Sequence, residues 1–236
     1  MLTVGSDASS DIRIDDPALR PHHLTVTALE DGFRIESAAP TATFKIGNDQ
    51  RRQGLLTSGF IDLGRYRLRL SHQGFPAVVV LDSEKARGSD VVRPRYFPVD
   101  LSYRYLARLT LAARAEEVVI LSTRGNQRHG IRVGWFDLEI AGTPCRVEAV
   151  RLLEPGVGQS SYGVYFRDLT TDRETYPVGR YLDPEPLPDG MHLVDFNLAY
   201  NPACAFSPHY NCPIPSRENT LPVEIRAGEM TPEGAH

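Results

Sequence analysis

The densest run of chemically capable residues is DFNLAYNPACAFSPHYNCPIP, Asp195 to Pro215. Cys204, His209 and Cys212 offer two thiols and an imidazole, and a fourth donor from His192 or Asp195 would complete the ligand set of a zinc ion. The Cys-x4-His-x2-Cys spacing lacks the paired Cys-x-x-Cys knuckles of strong zinc motifs, and Pro202, Pro208 and Pro213 limit how the loop can converge. The expectation is therefore no metal and no cofactor. Cys204 and Cys212 are expected as two buried, unreactive thiols, with a disulfide between them as the alternative.

A second constellation is polar. Asp195, Asn197, Tyr200 and Asn201 are preceded by Asp168, Tyr176, Arg180 and Tyr181 and followed by Asn219, Arg226 and Glu229. On a strand Asp195 and Asn197 would share one face, and neither residue favours strands, so the face needs a reason. If it points inward, Arg180 or Arg226 must satisfy it. Such a network either pins the proline-rich loop or floors a pocket for a small molecule or peptide. In a pocket, Asp168, Asp195 and Glu229 could act as general acid or base once burial shifted them. Tyr200 and Tyr210 could orient a ligand, and Arg180 and Arg226 could grip a carboxylate or phosphate in bidentate fashion. No complete catalytic set can be assembled, so whether the protein is an enzyme is left open. Ser122 to Asn126 is a turn with hydroxyls and not a nucleophile elbow, and no Walker loop, HExxH or dinucleotide fingerprint occurs.

The elements that must position these residues are short and β-like. DIRI, LTVTAL, GFRIES, ATFKIG, FIDLGRYRLRL and AVVVL alternate or are β-branched, with GSDASSD, DDP and EDG between them, which predicts a β-sandwich over residues 1–81. Arg65, Arg67 and Arg69 fall on one face of such a strand, either solvated or anion-binding. The charged and small residues of DSEKARGSD predict a linker over 82–94. From Arg95 on, YRYLARLTL, EVVILST, GWFDLEIAG, CRVEAVRLL, YGVYFRDL, HLVDFNLAY and VEIRAGE read as strands of a second, β-rich domain, 95–236. LARLTLAARAEE has helical composition, but the alternation Tyr103, Tyr105, Ala107, Leu109, Leu111 predicts a strand through its first half. Trp135, Phe136, Tyr162, Tyr165 and Phe166 are expected in the core.

Composition narrows the class. A hydrophobic content of 41% and a charged content of 24% in 236 residues suit a soluble globular protein of one large or two small domains. A formal net charge of -4, with arginines interleaved among apolar and acidic residues, argues against nucleic acid. MLTVGSDASSDI has neither the basic region nor the apolar core of a signal peptide, and no apolar run reaches the length of a membrane span. Three cysteines are an odd number without a disulfide-framework pattern. The expected setting is the cytoplasm, away from membranes.

VGSDASSDIRIDDPALRPHHL, TATFKIG and LLTSGFIDLG resemble, in order, the landmarks of a forkhead-associated (FHA) domain. The resemblance implies a β-sandwich whose loops bind phosphothreonine, but the binding positions depart from the pattern. Gly5 is followed by Ser6 rather than arginine, Arg20 stands where the phosphate-binding serine would be, and Ile46 takes the place of the recognition asparagine. His23 matches the family's loop-bracing histidine. The implied module has lost phosphothreonine binding and contacts a protein partner, with Arg20 as a residue placed to bind an anion.

RYFPVDLSYRYLARL, FRDLTTDRETYPVGRYL, DFNLAYNPACAF, YNCPIPSREN and LPVEIRAGE resemble successive motifs of a bacterial and archaeal domain-of-unknown-function family, number 1684, from Arg95 to Glu229. That resemblance brings kinship and no activity. The family tends to carry glycine where this chain has Asp172. The expected fold is mainly β, an N-terminal FHA-like β-sandwich followed by a β-barrel-like domain with few helices. The expected function is binding of a small molecule or peptide near the Asp195–Cys212 loop, with or without catalysis. The alternative is a non-catalytic interaction scaffold.

Overall fold

The structure is a computed structural model that describes residues 1–73, 75–84 and 92–235. The chain forms two compact units, Met1–Val91 with Glu154–Gly156, and Val92–Leu153 with Val157–His236. In the first, β1 (Leu2–Gly5), β2 (Ile12–Arg13), β3 (Leu24–Leu29), β4 (Gly32–Ser37) and β7 (Gln53–Leu56) make a sheet in the order β2-β1-β3-β4-β7. The second sheet holds β5 (Phe44–Ile46), β6 (Asp49–Arg51), β8 (Gly59–Leu63), β9 (Tyr66–His72) and β10 (Pro76–Asp82), in the order β10-β9-β8-β5-β6.

Period-two alternation explains the packing. Leu24 and Val26 of β3 and Phe33 and Ile35 of β4 face Phe44, Ile61, Leu63, Leu68 and Leu70 of the other sheet in one core, so the unit is a β-sandwich. FIDLGRYRLRL is two strands, because Gly64 at φ 63° turns β8 into β9. Arg67 pairs with Asp62, and Arg65 with Asp16, Asp82 and Glu84, so carboxylates neutralise these two arginines. His23 braces the loops: its Nδ1 accepts from the Arg20 N–H at 3.2 Å, which leaves Nε2 to donate to the Thr43 carbonyl at 2.9 Å. β10 runs through Asp82 and β11 (Arg93–Tyr96) begins at Arg93, so the expected linker is strand at both ends. Residues 85–91 of that segment lie outside the described residues.

The second unit is built from smaller sheets. β11 pairs with β20 (Glu229–Glu233), and β12 (Arg104–Arg108) with β19 (Met191–Asp195), which also carries β18 (Glu185–Pro186). β13 (Thr110–Leu121), β14 (Gln127–Ile140) and β15 (Thr143–Leu152) form an antiparallel meander, and β16 (Val164–Phe166) pairs with β17 (Arg180–Leu182). The protein is mainly β as expected, but the barrel-like expectation needs correction. Among the described residues the sheets stay separate and none closes on itself. LAARAEE lies in a strand despite its helical composition, since pairing with β14 overrides local propensity. Phe136, Leu138, Ile140, Val147, Phe166, Val194 and Phe196 fill the core. Among the described residues, no helix is long and apolar enough to cross a membrane.

Two expected strands end differently, and both differences bear on the polar constellation. HLVDFNLAY leaves the strand at Asp195, whose carboxylate accepts from the Asn197 backbone N–H at 3.0 Å and caps a 3-10 turn over Phe196–Leu198. Asp195 and Asn197 therefore do not form a row on a strand. LPVEIRAGE alternates as a strand should, with Leu221, Val223, Ile225 and Ala227 buried; its first residues bond the backbone of Arg167 and Leu169 at 2.8 and 2.9 Å, but from there no ladder runs until β20 at Glu229. Its backbone partners around Ile225 and Ala227 are side chains rather than a neighbouring strand.

Candidate functional site

Those side chains are Asp168 and Arg180. Arg180 Nη2 meets Asp168 Oδ2 at 2.8 Å, with the two side chains 1% and 0% exposed. The same nitrogen donates to the Ile225 carbonyl at 2.8 Å, and Nη1 donates to the carbonyls of Ala227 and Glu229. Asp168 Oδ2 accepts the Ile225 N–H at 3.1 Å, while Oδ1 takes the Thr170 N–H and hydroxyl at 2.9 and 2.6 Å. The ion pair thus replaces the missing strand, one fork against three carbonyls and one carboxylate against an amide. Arg180 also stacks its guanidinium 5.2 Å from the Phe166 ring centroid. Burial pulls its pKa down and Asp168 opposes that shift. The paired threonines turn through Asp172 at φ 65°, a left-handed conformation that glycine would adopt without strain.

Asn219 works in the same way. Its Oδ1 accepts the Glu148 N–H at 2.7 Å, and its Nδ2 donates to the carbonyls of Glu148 and Tyr165 at 3.0 and 2.9 Å. One amide side chain thereby links β15 to β16. Glu148, buried in β15, holds Arg132 at 2.5 Å and the Ser216 hydroxyl at 3.0 Å. Arg132 also reaches Glu116 and Glu218, each at 2.7 Å.

The rest of the constellation is spread out. Asn197 Nδ2 donates to the Asp100 carbonyl and its Oδ1 accepts the Asp100 N–H, both at 2.9 Å, while Asp195 lies 3.7 Å from Arg104. Asn201 Nδ2 donates to the Met230 carbonyl, and Glu229 accepts the Asn201 N–H, each at 2.8 Å. The Tyr200 hydroxyl reaches Asp183 at 3.1 Å, and burial followed by Asp183 pushes its pKa up. Tyr181 is buried with its hydroxyl on the Pro213 carbonyl at 2.5 Å. Arg226 is surface-exposed and paired with Glu174 and Glu224 at 3.1 and 3.2 Å. Neither Arg180 nor Arg226 reaches Asp195, as the strand reading required.

Cys204 and Cys212 lie in a separate small cluster with Tyr176, Tyr181 and Ala205. The Cys204 N–H donates to Cys212 Sγ at 3.3 Å, and the Tyr176 hydroxyl to the Cys204 carbonyl at 3.2 Å. Burial lifts Tyr176 to about 12. His209 is exposed while both cysteines are buried, so the imidazole does not join the thiols. Among the described residues, no three His, Cys, Asp or Glu side chains gather as a metal site. His192 instead hydrogen-bonds the Tyr162 hydroxyl through Nε2 and packs 5.3 Å from Phe136. Burial depresses its pKa, keeping it neutral at pH 7.

The open concavities lie elsewhere. A cleft of about 610 Å³ runs along β13 and β14, with Leu111, Ala112, Ala115, Ile131, Val133, Pro184 and Pro186 as apolar walls. Arg114, Arg132, Arg151, Tyr162 and Asp183 supply its charge and hydroxyl. It exists because β13 leaves its ladder between Leu111 and Glu116, where the register shifts. Arg132 is taken by glutamates, but Arg114 and Arg151 form no ion pair among the described residues; Arg151 donates only to the Gln159 carbonyl, at 2.6 Å. A smaller hollow of about 260 Å³ is lined by Glu148, Ser216, Arg217, Glu218 and Asn219 among others. Asn219 is the one member of the sequence-derived set that lines either of these two cavities. The N-terminal unit has its own hollow of about 750 Å³, whose Arg65 and Arg67 are already neutralised. Arg114 and Arg151 escaped sequence reasoning because a bulge in an ambiguous strand carries no pattern of its own, and Tyr162, expected in the core, is half-buried at the cleft.

Residues 93–230 match the family described as "Protein of unknown function (DUF1684)". The chain belongs to that family, and its Asp168–Arg180 pair, Asn219 and the Cys204–Cys212 loop lie inside the matched region. A solution NMR structure of an uncharacterized protein from Haloarcula marismortui is 34% identical over 58% of this chain and 76% of that chain, with a TM-score of 0.47. No curated protein matches.

Proposed function

We propose that the C-terminal unit binds a small organic anion with an apolar body in the cleft along β13 and β14, and that it does so without catalysis. Asp168, Arg180, Asn197 and Asn219 are then framework, each spent on backbone groups that lack a strand partner. One observation carries the reading: among the described residues Arg114 and Arg151 form no ion pair and line an apolar-walled cleft, whereas Arg65, Arg67, Arg132, Arg180 and Arg226 are all ion-paired. Guanidinium groups without a carboxylate partner beside apolar surface suit a carboxylate with a hydrocarbon body. Calorimetric titration of the full chain with straight-chain carboxylates, butanoate to octanoate, and with the matching alcohols tests this. Saturable binding of the acids is expected, tightening about fourfold per methylene and lost in the Arg114→Glu/Arg151→Glu double variant. Equal binding of the alcohols, or no saturable binding of any acid, would contradict it.

The N-terminal sandwich is read separately as an FHA-like module that contacts a partner protein and no longer recognises phosphothreonine. The His23 brace supports the likeness, and Ser6 in place of arginine, Arg20 in place of serine and Ile46 in place of asparagine support the loss. A phosphothreonine peptide library is expected to show no phosphate-dependent binding. Phosphate-dependent binding abolished by Arg20→Ala would replace this reading with a retained phosphosite.

A further inference from the structure

We propose that Cys204 and Cys212 are a reversible thiol–disulfide pair, a redox modification site that closes the Cys204–Cys212 loop on itself. The inference is independent of the cleft. The two residues pack in one small buried cluster, and the Cys204 backbone N–H donates to Cys212 Sγ at 3.3 Å. Cys212 is fixed from the far side, its N–H on the Thr123 hydroxyl at 3.0 Å and its carbonyl on the Thr123 N–H at 2.9 Å. Cys145 sits in a different core on β15, opposite Leu138, and serves as an internal control.

The surroundings divide the labour between the sulfurs. The neighbouring Cys212 side chain is the largest influence holding the Cys204 thiol down, to about 7, with Tyr176 and Thr123 adding to it and burial opposing. The neighbouring Cys204 side chain, followed by burial, raises Cys212. The titratable and charged groups facing the pair are Tyr165, Tyr176, Tyr181, Tyr210 and Arg128. A thiolate beside a protonated thiol is the arrangement that thiol–disulfide exchange uses. The burial of both residues favours a low-molecular-weight disulfide as oxidant. The Cys204 thiolate attacks one sulfur of that disulfide, whose S–S bond breaks to expel one thiolate. Cys212 then gives up its proton and attacks the Cys204 sulfur, expelling the second thiolate. In sum, two protein thiols and one small disulfide become one protein disulfide and two small thiols.

The test is a peptide map of the full chain, reduced and then equilibrated in mixtures of glutathione and glutathione disulfide, quenched, alkylated and digested. A Cys204–Cys212 bond is expected to grow with the oxidised fraction and vanish in excess dithiothreitol, while Cys145 stays a thiol. Cys212→Ser should trap a glutathione adduct on Cys204, Cys204→Ser should leave Cys212 unmodified, and Cys145→Ser should behave as the parent. Alkylation of Cys204 by iodoacetamide should rise through a midpoint near pH 7, against about 8.5 for an ordinary cysteine. All three thiols persisting in glutathione disulfide alone, adducts without the internal bond, or equal oxidation of Cys145 would overturn the proposal. Should either serine variant fail to fold, the map and the pH profile of the parent protein decide.

Discussion

Arg180→Ala is expected to unfold the C-terminal unit or bring it close to unfolding. Removing one partner of a buried ion pair costs about 3–5 kcal/mol, because the other charge is left uncompensated. Here the loss extends to the carbonyls of Ile225 and Ala227, which have the guanidinium in place of a strand, and to that of Glu229. Domains of this kind are held by about 5–15 kcal/mol in all, so a loss of this size removes much of the margin. Arg180→Lys keeps the charge but not the fork, and should recover only part of it. Arg180→Met combined with Asp168→Leu should cost less than Arg180→Ala alone, since no charge is then stranded. Urea unfolding curves check all three. A change below about 1 kcal/mol for Arg180→Ala, the range of an exposed ion pair, would show that the buried pair does not hold the Leu221–Gly228 segment.

Gly5→Ala is the corresponding test of the N-terminal sandwich. A Cβ at Gly5 would sit 1.9 Å from the Pro21 carbonyl oxygen and 2.9 Å from the His22 Cα, both backbone atoms that cannot rotate away. The loop before β3 must move, and with it go the bonds from Ser6 and Asp7 to the Arg20 and Pro21 carbonyls, at 3.0 and 3.1 Å, and from His23 to Val4, at 2.8 Å. Overpacking costs about 1–3 kcal/mol and each lost hydrogen bond about 1 kcal/mol, so a destabilisation of about 4 kcal/mol is expected. Amide exchange of Ser6, Asp7 and His23 would accelerate first. Unchanged protection at those amides would mean that the loops do not meet as closely as described.

How much of this was legible in the sequence depends on where the hydrogen bonds go. β3, β4 and β9 follow from alternation, since their apolar residues fall on one face. β6 and β7, spelled DQR and QGLL, carry too few apolar residues to announce themselves. LPVEIRAGE has the alternation of a strand, but beyond Val223 Arg180 and Asp168 occupy the place of its neighbour, and no local pattern reports that. Asp195 and Asn197 were read as a strand face because a cap and a strand end share the same letters until the turn is seen. The conspicuous polar residues of the constellation each need partners. Those partners are mostly backbone, and buried polar groups that close on backbone look the same in sequence as those that close on a ligand. The cleft had no sequence signal at all: it joins a bulge near Arg114 to residues at 151, 162 and 183.

The measurement that bears most directly on the account is an amide-resolved NMR titration of the full chain with octanoate. Binding at the cleft predicts saturable shifts concentrated at Arg114, Arg151 and Ser160–Tyr162, with the amides of Thr170, Ile225 and Ala227 left in place. Shifts centred instead on the Asp168–Arg180 network or the Asp195–Cys212 loop, or no saturable shifts anywhere, would contradict the division of this domain into a closed polar framework and an open binding cleft.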